Sequence, residues 1–128
     1  MHEIQSKRIY TAPDPQDGYR VLVDRLWPRG IRKEAAGLDS WMKSLAPSAE
    51  LRKSFAHQPE RFADFREAYR RELAANPEAL TFAGTCRTEL AAHPVTLLYA
   101  ARDEACNNAV VLREWLIQQI SQPETRTA

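Results

Sequence analysis

YRVLVDRLWPRGIRK, residues 19–33, is the stretch that decides how this chain folds. It opens on an uncharged run, Val21–Val23, whose nearly continuous apolar character suits a strand covered on both faces, as in a parallel sheet. It closes on Asp24 and Trp27 together with Arg25, Arg29, Arg32 and Lys33. A buried strand ordinarily leaves into a short turn. An exit carrying one carboxylate, one indole and four cations suits the holding of an anion instead.

The same reading applied outward finds a partner for that strand. Val95–Ala101, VTLLYAA, is β-branched and aromatic with no charge, and predicts a second buried parallel strand. Ile4–Tyr10 predicts an edge strand, because Lys7 and Arg8 interrupt its apolar pattern. Pro13–Gly18 reads as a turn, with two prolines that fix φ and a glycine that tolerates φ > 0. Between the two buried strands lies a long helical excursion. Leu38–Leu45 predicts a short amphipathic helix with Trp41 and Leu45 at i and i+4. Ser48 predicts an N-cap for a helix facing inward through Leu51 and Phe55. Phe62, Phe65, Tyr69 and Leu73 form the apolar stripe of a helix over Pro59–Ala75. Asn76-Pro77 opens a further helix to about Ala92, with Leu80, Ala83, Cys86 and Leu90 expected on its core face. Ala109–Ile120 closes the fold, and the polar stretch 121–128 reads as a frayed, flexible tail. A strand, a helical crossover and a parallel strand return right-handed. The expected architecture is a small three-layer α/β domain over residues 1–120, with a short, mainly parallel sheet flanked by helices.

Composition narrows the function classes. The 128 residues carry a net charge of +1, with 44% apolar and 27% charged residues, those of an ordinary soluble globule. No global field attracts nucleic acid or an anionic membrane, so electrostatic recognition has to be local. The local surplus is Arg20, Arg25, Arg29, Arg32 and Lys33 against the single Asp24. No apolar run reaches the length of a membrane span, and MHEIQSKRIY lacks the apolar core of a signal peptide. Two cysteines twenty apart in such a chain favour free thiols in a reducing cytoplasm. Scattered histidines and the lack of any CxxC argue against a metal, and no residue pattern implies a cofactor.

In open α/β sheets ligands bind beyond the carboxyl ends of the strands. Two loops, Asp24–Lys33 and Arg102–Asn108, leave such ends. The leading reading is a binding protein or enzyme for a small phosphorylated or nucleotide-like anion. Arg25 and Arg29 would hold the anion, and Asp24 or Asp103 would serve as base or orienter. Asn107, Glu104 and Trp27 would line the ligand. The alternative is a nucleic-acid-binding or regulatory module that uses the basic arm from Arg20 to Lys33. Each residue also has a structural reading: Asp24 as ion-pair partner of Arg20, Arg25 or Arg29, Asp103 as a helix N-cap, Trp27 and Trp41 as packing, and His57 as a surface or helix-end residue. Cys106 stands near a helix start, where a thiol can be activated. However, Arg113 is one residue too distant for a cysteine-phosphatase loop, and valine and leucine replace its glycine-rich cradle.

Three segments, VLVDRLWPRG (21–30), LAPSAELRKSF (45–55) and VTLLYAARDEACNNAVVLREWL (95–116), resemble the bacterial family DUF488, specifically its short YeaO-like branch. The resemblance spans about residues 3–118. It implies an α/β fold and no established activity. The branch pattern of an aspartate-glutamate pair, an asparagine and then histidine or asparagine is matched by Asp103, Glu104, Asn107 and Asn108. Longer relatives resemble the chain at Asp24-Arg25, but carry a cysteine-histidine-arginine where Cys106 is followed here by Asn107 and Asn108. Cysteine-dependent chemistry therefore does not carry over.

Overall fold

The two uncharged runs lie side by side. Val21 pairs with Leu97 and Leu22 with Leu98 in parallel register. In the computed structural model, which describes residues 2–121, four strands are present: β1 (Ile4–Arg8), β2 (Tyr19–Leu22), β3 (Ser40–Trp41) and β4 (Val95–Tyr99). They form one sheet in the order β1-β4-β2-β3, every pair parallel. Five helices accompany them: α1 (Lys33–Ala36), α2 (Ala49–Phe55), α3 (Phe62–Ala74), α4 (Pro77–Glu89) and α5 (Asn108–Ser121). The expected small α/β fold with a parallel sheet is the one found. Of the expected tail, Ser121 ends α5 and residues 122–128 lie outside the described residues.

Strand alternation divides the interior in two. Val21, Val23, Val95, Leu97 and Tyr99 point into the larger core, where they meet Phe55, Phe65, Tyr69, Leu73, Phe82, Leu112 and Trp115 from α2–α5. Leu22 and Leu98 point the other way, onto Ile9, Trp27, Ile31, Leu38 and Trp41. The third layer is therefore thin. Loops and the single-turn α1 cover this second face, whereas four longer helices cover the first.

Leu38–Leu45, expected as a helix, is instead β3 followed by a 3-10 turn over Lys43–Leu45. The i, i+4 pair that suggested a helix is divided between the two cores. Trp41 packs on the second face and Leu45 in the helix-side core. The segment wraps the sheet edge, and one helical face cannot serve both sides. The register of α4 also differs from expectation. Ala79, Phe82, Ala83 and Cys86 are buried, while Leu80 is 49% exposed.

The amino-terminal half of the second face is polar. Asp17 is buried and accepts from Lys7 Nζ through both carboxylate oxygens at 2.9 Å, and from Arg20. Arg20 also donates from Nε to Gly37 O (3.0 Å) and from Nη2 to Ala36 O (2.8 Å). The cluster thereby anchors α1 to β1, β2 and the turn before β2. Burial alone would push the Asp17 carboxyl up. Hydrogen bonds from Lys7, the Asp14 N–H and Arg20 outweigh it and hold the carboxyl below its ordinary value. Gly18 makes the same junction possible. Its φ is +65°, and a Cβ there would stand 2.1 Å from Pro94 O, the carbonyl that accepts from Tyr19 N–H at 2.9 Å.

Asp17→Asn strips a buried counter-charge from Arg20 and Lys7 and is expected to cost about 3–5 kcal/mol in urea unfolding at pH 7. A depressed carboxyl pKa contributes fully above the unfolded value of about 3.9 and loses that contribution as pH falls through the lower folded value. The cost of the substitution should therefore shrink in acid. A cost that stays constant down the acid limb contradicts the ion cluster.

Candidate ligand site at the carboxyl ends of the strands

Parallel pairing sends β2 and β4 out on the same side, and Asp24 is the residue that joins their exits. Val23 N–H extends the ladder to Leu98 O at 3.1 Å, and the chain then turns. The half-buried Asp24 carboxylate accepts from Ala100 N–H at Oδ2 (2.9 Å) and from Asn108 Nδ2 at Oδ1 (3.1 Å). Asn108 Nδ2 also reaches Val23 O at 3.3 Å, and Trp41 Nε1 donates to Asp24 O at 2.8 Å. One carboxylate thus ties the β2 exit, the β4 exit and the first residue of α5. Among the described residues no Arg or Lys bonds to it, so the expected pairing with Arg20, Arg25 or Arg29 does not form. Burial pushes the Asp24 carboxyl above its ordinary value. The hydrogen bonds from Ala100 and Asn108, and then the charges of His57 and Arg52, oppose the rise.

His57 and Arg52 come from the end of α2. That helix closes with Ala56 N–H on Arg52 O at 2.9 Å, and both Ala56 (φ 52°) and His57 (φ 57°) are left-handed. Such a conformation costs a residue with a Cβ about 1–2 kcal/mol. The turn sets the His57 ring 6.1 Å from that of Phe55, which stacks on Phe65 at 4.5 Å in the core. Beneath lies Tyr69, whose buried hydroxyl donates to Leu45 O. Its phenol is pushed well above the ordinary range by burial and by the Asp24 and Glu72 charges.

Of the residues singled out in the sequence, Arg25 and Arg29 are exposed on the β2 exit loop, as is Leu26 at 71%. Among the described residues neither guanidinium has a partner, although Arg29 O accepts from the Tyr10 hydroxyl at 2.8 Å. Trp27 is half-buried. Its Nε1 donates to Ile31 O at 2.7 Å, and its ring meets Trp41 edge-on at 5.3 Å. Asp103 is exposed and accepts from the N–H groups of Ala105 and Cys106, each at 2.9 Å; these bonds hold its carboxyl below the ordinary range. Glu104 is exposed. Asn107 is buried with both ends of its amide on backbone, Nδ2 donating to Asp103 O (2.8 Å) and Oδ1 accepting from Val110 N–H (3.0 Å). Asp103 and Asn107 together build the start of α5. Asn108, the next residue, is the one that turns toward Asp24. Sequence reasoning missed Asn108, Arg52 and His57 as neighbours of Asp24. The only signal for Asn108 was its place beside Asn107 in the third segment. Nothing local marked Arg52 or His57.

The thiols are not activated. Burial first, and the Asp103 charge second, push Cys106 up. Burial and Glu89 push Cys86 up to about 12. Two surface grooves lie elsewhere: one of about 380 Å³ lined by Ile4, Leu90, Arg113 and Ile117, and one of about 670 Å³ against α2 and α3 that includes Leu51, Asp64, Phe65 and Arg71. Neither contains a residue of the β2 or β4 exit. Among the described residues no group of three or more His, Cys, Asp or Glu could hold a metal ion, and no helix is long and apolar enough to cross a membrane.

Residues 3–128 match the family described as "Inactive DUF488-N3 subclade". The chain belongs to the DUF488 family. It is 46% identical over 114 residues to the uncharacterised protein YeaO of Escherichia coli K12, an alignment that covers 88% of this chain and 96% of that protein. It is 43% identical over 116 residues to the uncharacterised proteins Mb3100c of Mycobacterium bovis and Rv3073c of Mycobacterium tuberculosis, covering 88% of this chain and 92% of each. No solved structure matches the chain.

The thiolate is the reactive form of cysteine, so raised pKa values predict slow alkylation. In this DUF488 chain, iodoacetamide at pH 7 should modify both cysteines more slowly than a free cysteine of pKa about 8.5. The rate at Cys106 should keep rising as pH passes that value. Rapid modification of Cys106 at neutral pH contradicts the environment described.

Proposed function

We propose that this DUF488 protein binds a small phosphorylated or other oxyanionic ligand over the carboxyl ends of β2 and β4, and holds it without transforming it. The observation that carries this reading is the state of the cations at that edge. Several other cations are engaged: Lys7 and Arg20 on Asp17, Arg66 on Glu114, Arg113 on Ile4 O, and Arg8 at the same sheet edge on the carbonyls of Ala100 and Ala101. Arg52 and Lys53 on α2 and Arg71 on α3 are also exposed and, among the described residues, without a bonded partner. On the two exit loops Arg25, Arg29 and Arg102 are exposed and, among the described residues, without a partner. A guanidinium fork matches an oxyanion in a bidentate way, and the edge beyond the strand ends is where open α/β sheets take ligands.

Two facts favour binding over catalysis. The matched family is described as inactive, and both cysteine pKa values are raised, so neither thiol is a ready nucleophile. The same cations could meet a phosphodiester backbone. The near-neutral net charge gives nucleic acid no long-range attraction, which leaves the small ligand as the stronger reading.

Isothermal titration with inorganic phosphate and with pyrophosphate tests it. Arg25→Ala and Arg29→Ala should each weaken binding about tenfold or more, since a hydrogen bond to a charged group contributes about 1.5–3 kcal/mol. Stability should change by less than about 0.5 kcal/mol, because both side chains are exposed. Wild-type protein that takes up neither anion, or a double variant that binds as well as wild type, overturns the proposal.

A further inference from the structure

Resting on the anion site just proposed, the geometry points to Asp24 as the residue that sets its ligand preference: Asp24 accepts a hydrogen bond from a hydroxyl group, so that the site holds a hydroxyl-bearing phosphate such as a sugar phosphate more tightly than a bare anion. A carboxylate beside an anion site is unfavourable to a ligand that is nothing but anion. Like charges placed together are a standard means of rejecting the wrong partner. Asp24 stands two residues past the end of β2 and immediately precedes Arg25, on the loop that carries the guanidinium groups of Arg25 and Arg29, unpartnered among the described residues.

The bonding inventory shows what the carboxylate has left to give. An ionised carboxylate offers about four lone-pair positions, and acceptor capacity only. Asn108 Nδ2 uses one position on Oδ1 and Ala100 N–H one on Oδ2. Among the described residues no guanidinium or ammonium takes the others. The charges of His57, in the turn after α2, and of Arg52 on α2 act on Asp24 without bonding to it. The side chain is half-buried and not sealed in the core. What remains is a fixed acceptor, oriented by two neutral donors, at the rim of a cationic edge. A hydroxyl donor a few bonds from a phosphate complements that pair, and a ligand offering only acceptors does not.

The test compares methyl phosphate, which has no hydroxyl on carbon, with ribose 5-phosphate and glucose 6-phosphate, by isothermal titration on the full chain. At least one sugar phosphate should bind about tenfold or more tightly than methyl phosphate, the increment of a hydrogen bond to a charged acceptor. Asp24→Asn should abolish that advantage while methyl phosphate binds as well or better. If Asp24→Asn does not fold, Asn108→Ala, which releases one donor orienting the carboxylate, should reduce the advantage instead. Equal affinities for all three ligands in wild type, or an advantage that survives in the variant measured, overturns the inference and leaves the anion site standing. Failure of all three to bind overturns the anion site, and this inference with it.

Discussion

A single carboxylate ties together the carboxyl-terminal end of the sheet. Asp24 accepts from the backbone of the β4 exit and from the first residue of α5, while its own carbonyl takes the Trp41 indole of β3. Each donor belongs to a different element. Parallel strands have no hairpin to fix their exits relative to one another, so something beyond the ladder has to do it. Here the tie is polar and neutral on the donor side, which explains why burial raises the carboxyl pKa where an ion pair would have lowered it. The arrangement keeps a charge at the sheet edge at some cost in desolvation, and keeps it in one orientation.

The opposite end of the sheet uses the same chemistry to a different effect. Asp17 sits between Lys7 and Arg20, and there the counter-charges outweigh burial. That cluster substitutes for a helix layer. The second face has only the single-turn α1 and loops over it, and an ionic anchor at one end with the Trp27–Trp41 pair at the other holds them down. Both indole N–H groups bond to backbone carbonyls, so the aromatic pair fixes the course of the 24–41 segment as well as covering Leu22 and Leu98.

Much of this was legible in the residues. The uncharged runs at Val21–Val23 and Val95–Tyr99 gave away the parallel pair, because only burial on both faces tolerates so little polarity. Ser48 and Asn76 marked helix starts, and each does accept from the first turn of its helix. Leu38–Leu45 misled because spacing cannot reveal that two residues four apart serve opposite sides of a sheet. The arrangement at the candidate site was partly legible. Asp24 stood out from its neighbours, but its partners are 76 and 84 residues away, and such separations leave no local trace. Asn107 looked like a ligand residue because a buried helix cap and a binding amide have the same composition. Only coordinates distinguish Asn107, whose amide bonds the backbone at both ends, from Asn108, which reaches across to the other exit.

The account depends most on Asp24 being an ionised, partly buried acceptor bonded to Ala100. A carbon-detected NMR titration of its side-chain carboxyl, followed alongside the Ala100 amide proton, measures this directly. The Asp24 carboxyl should titrate above the ordinary aspartate value of about 3.9. The Ala100 amide proton, deshielded by a charged acceptor, should move with the same midpoint. A carboxyl that titrates at or below the ordinary value, with an Ala100 amide that does not respond, would contradict the account.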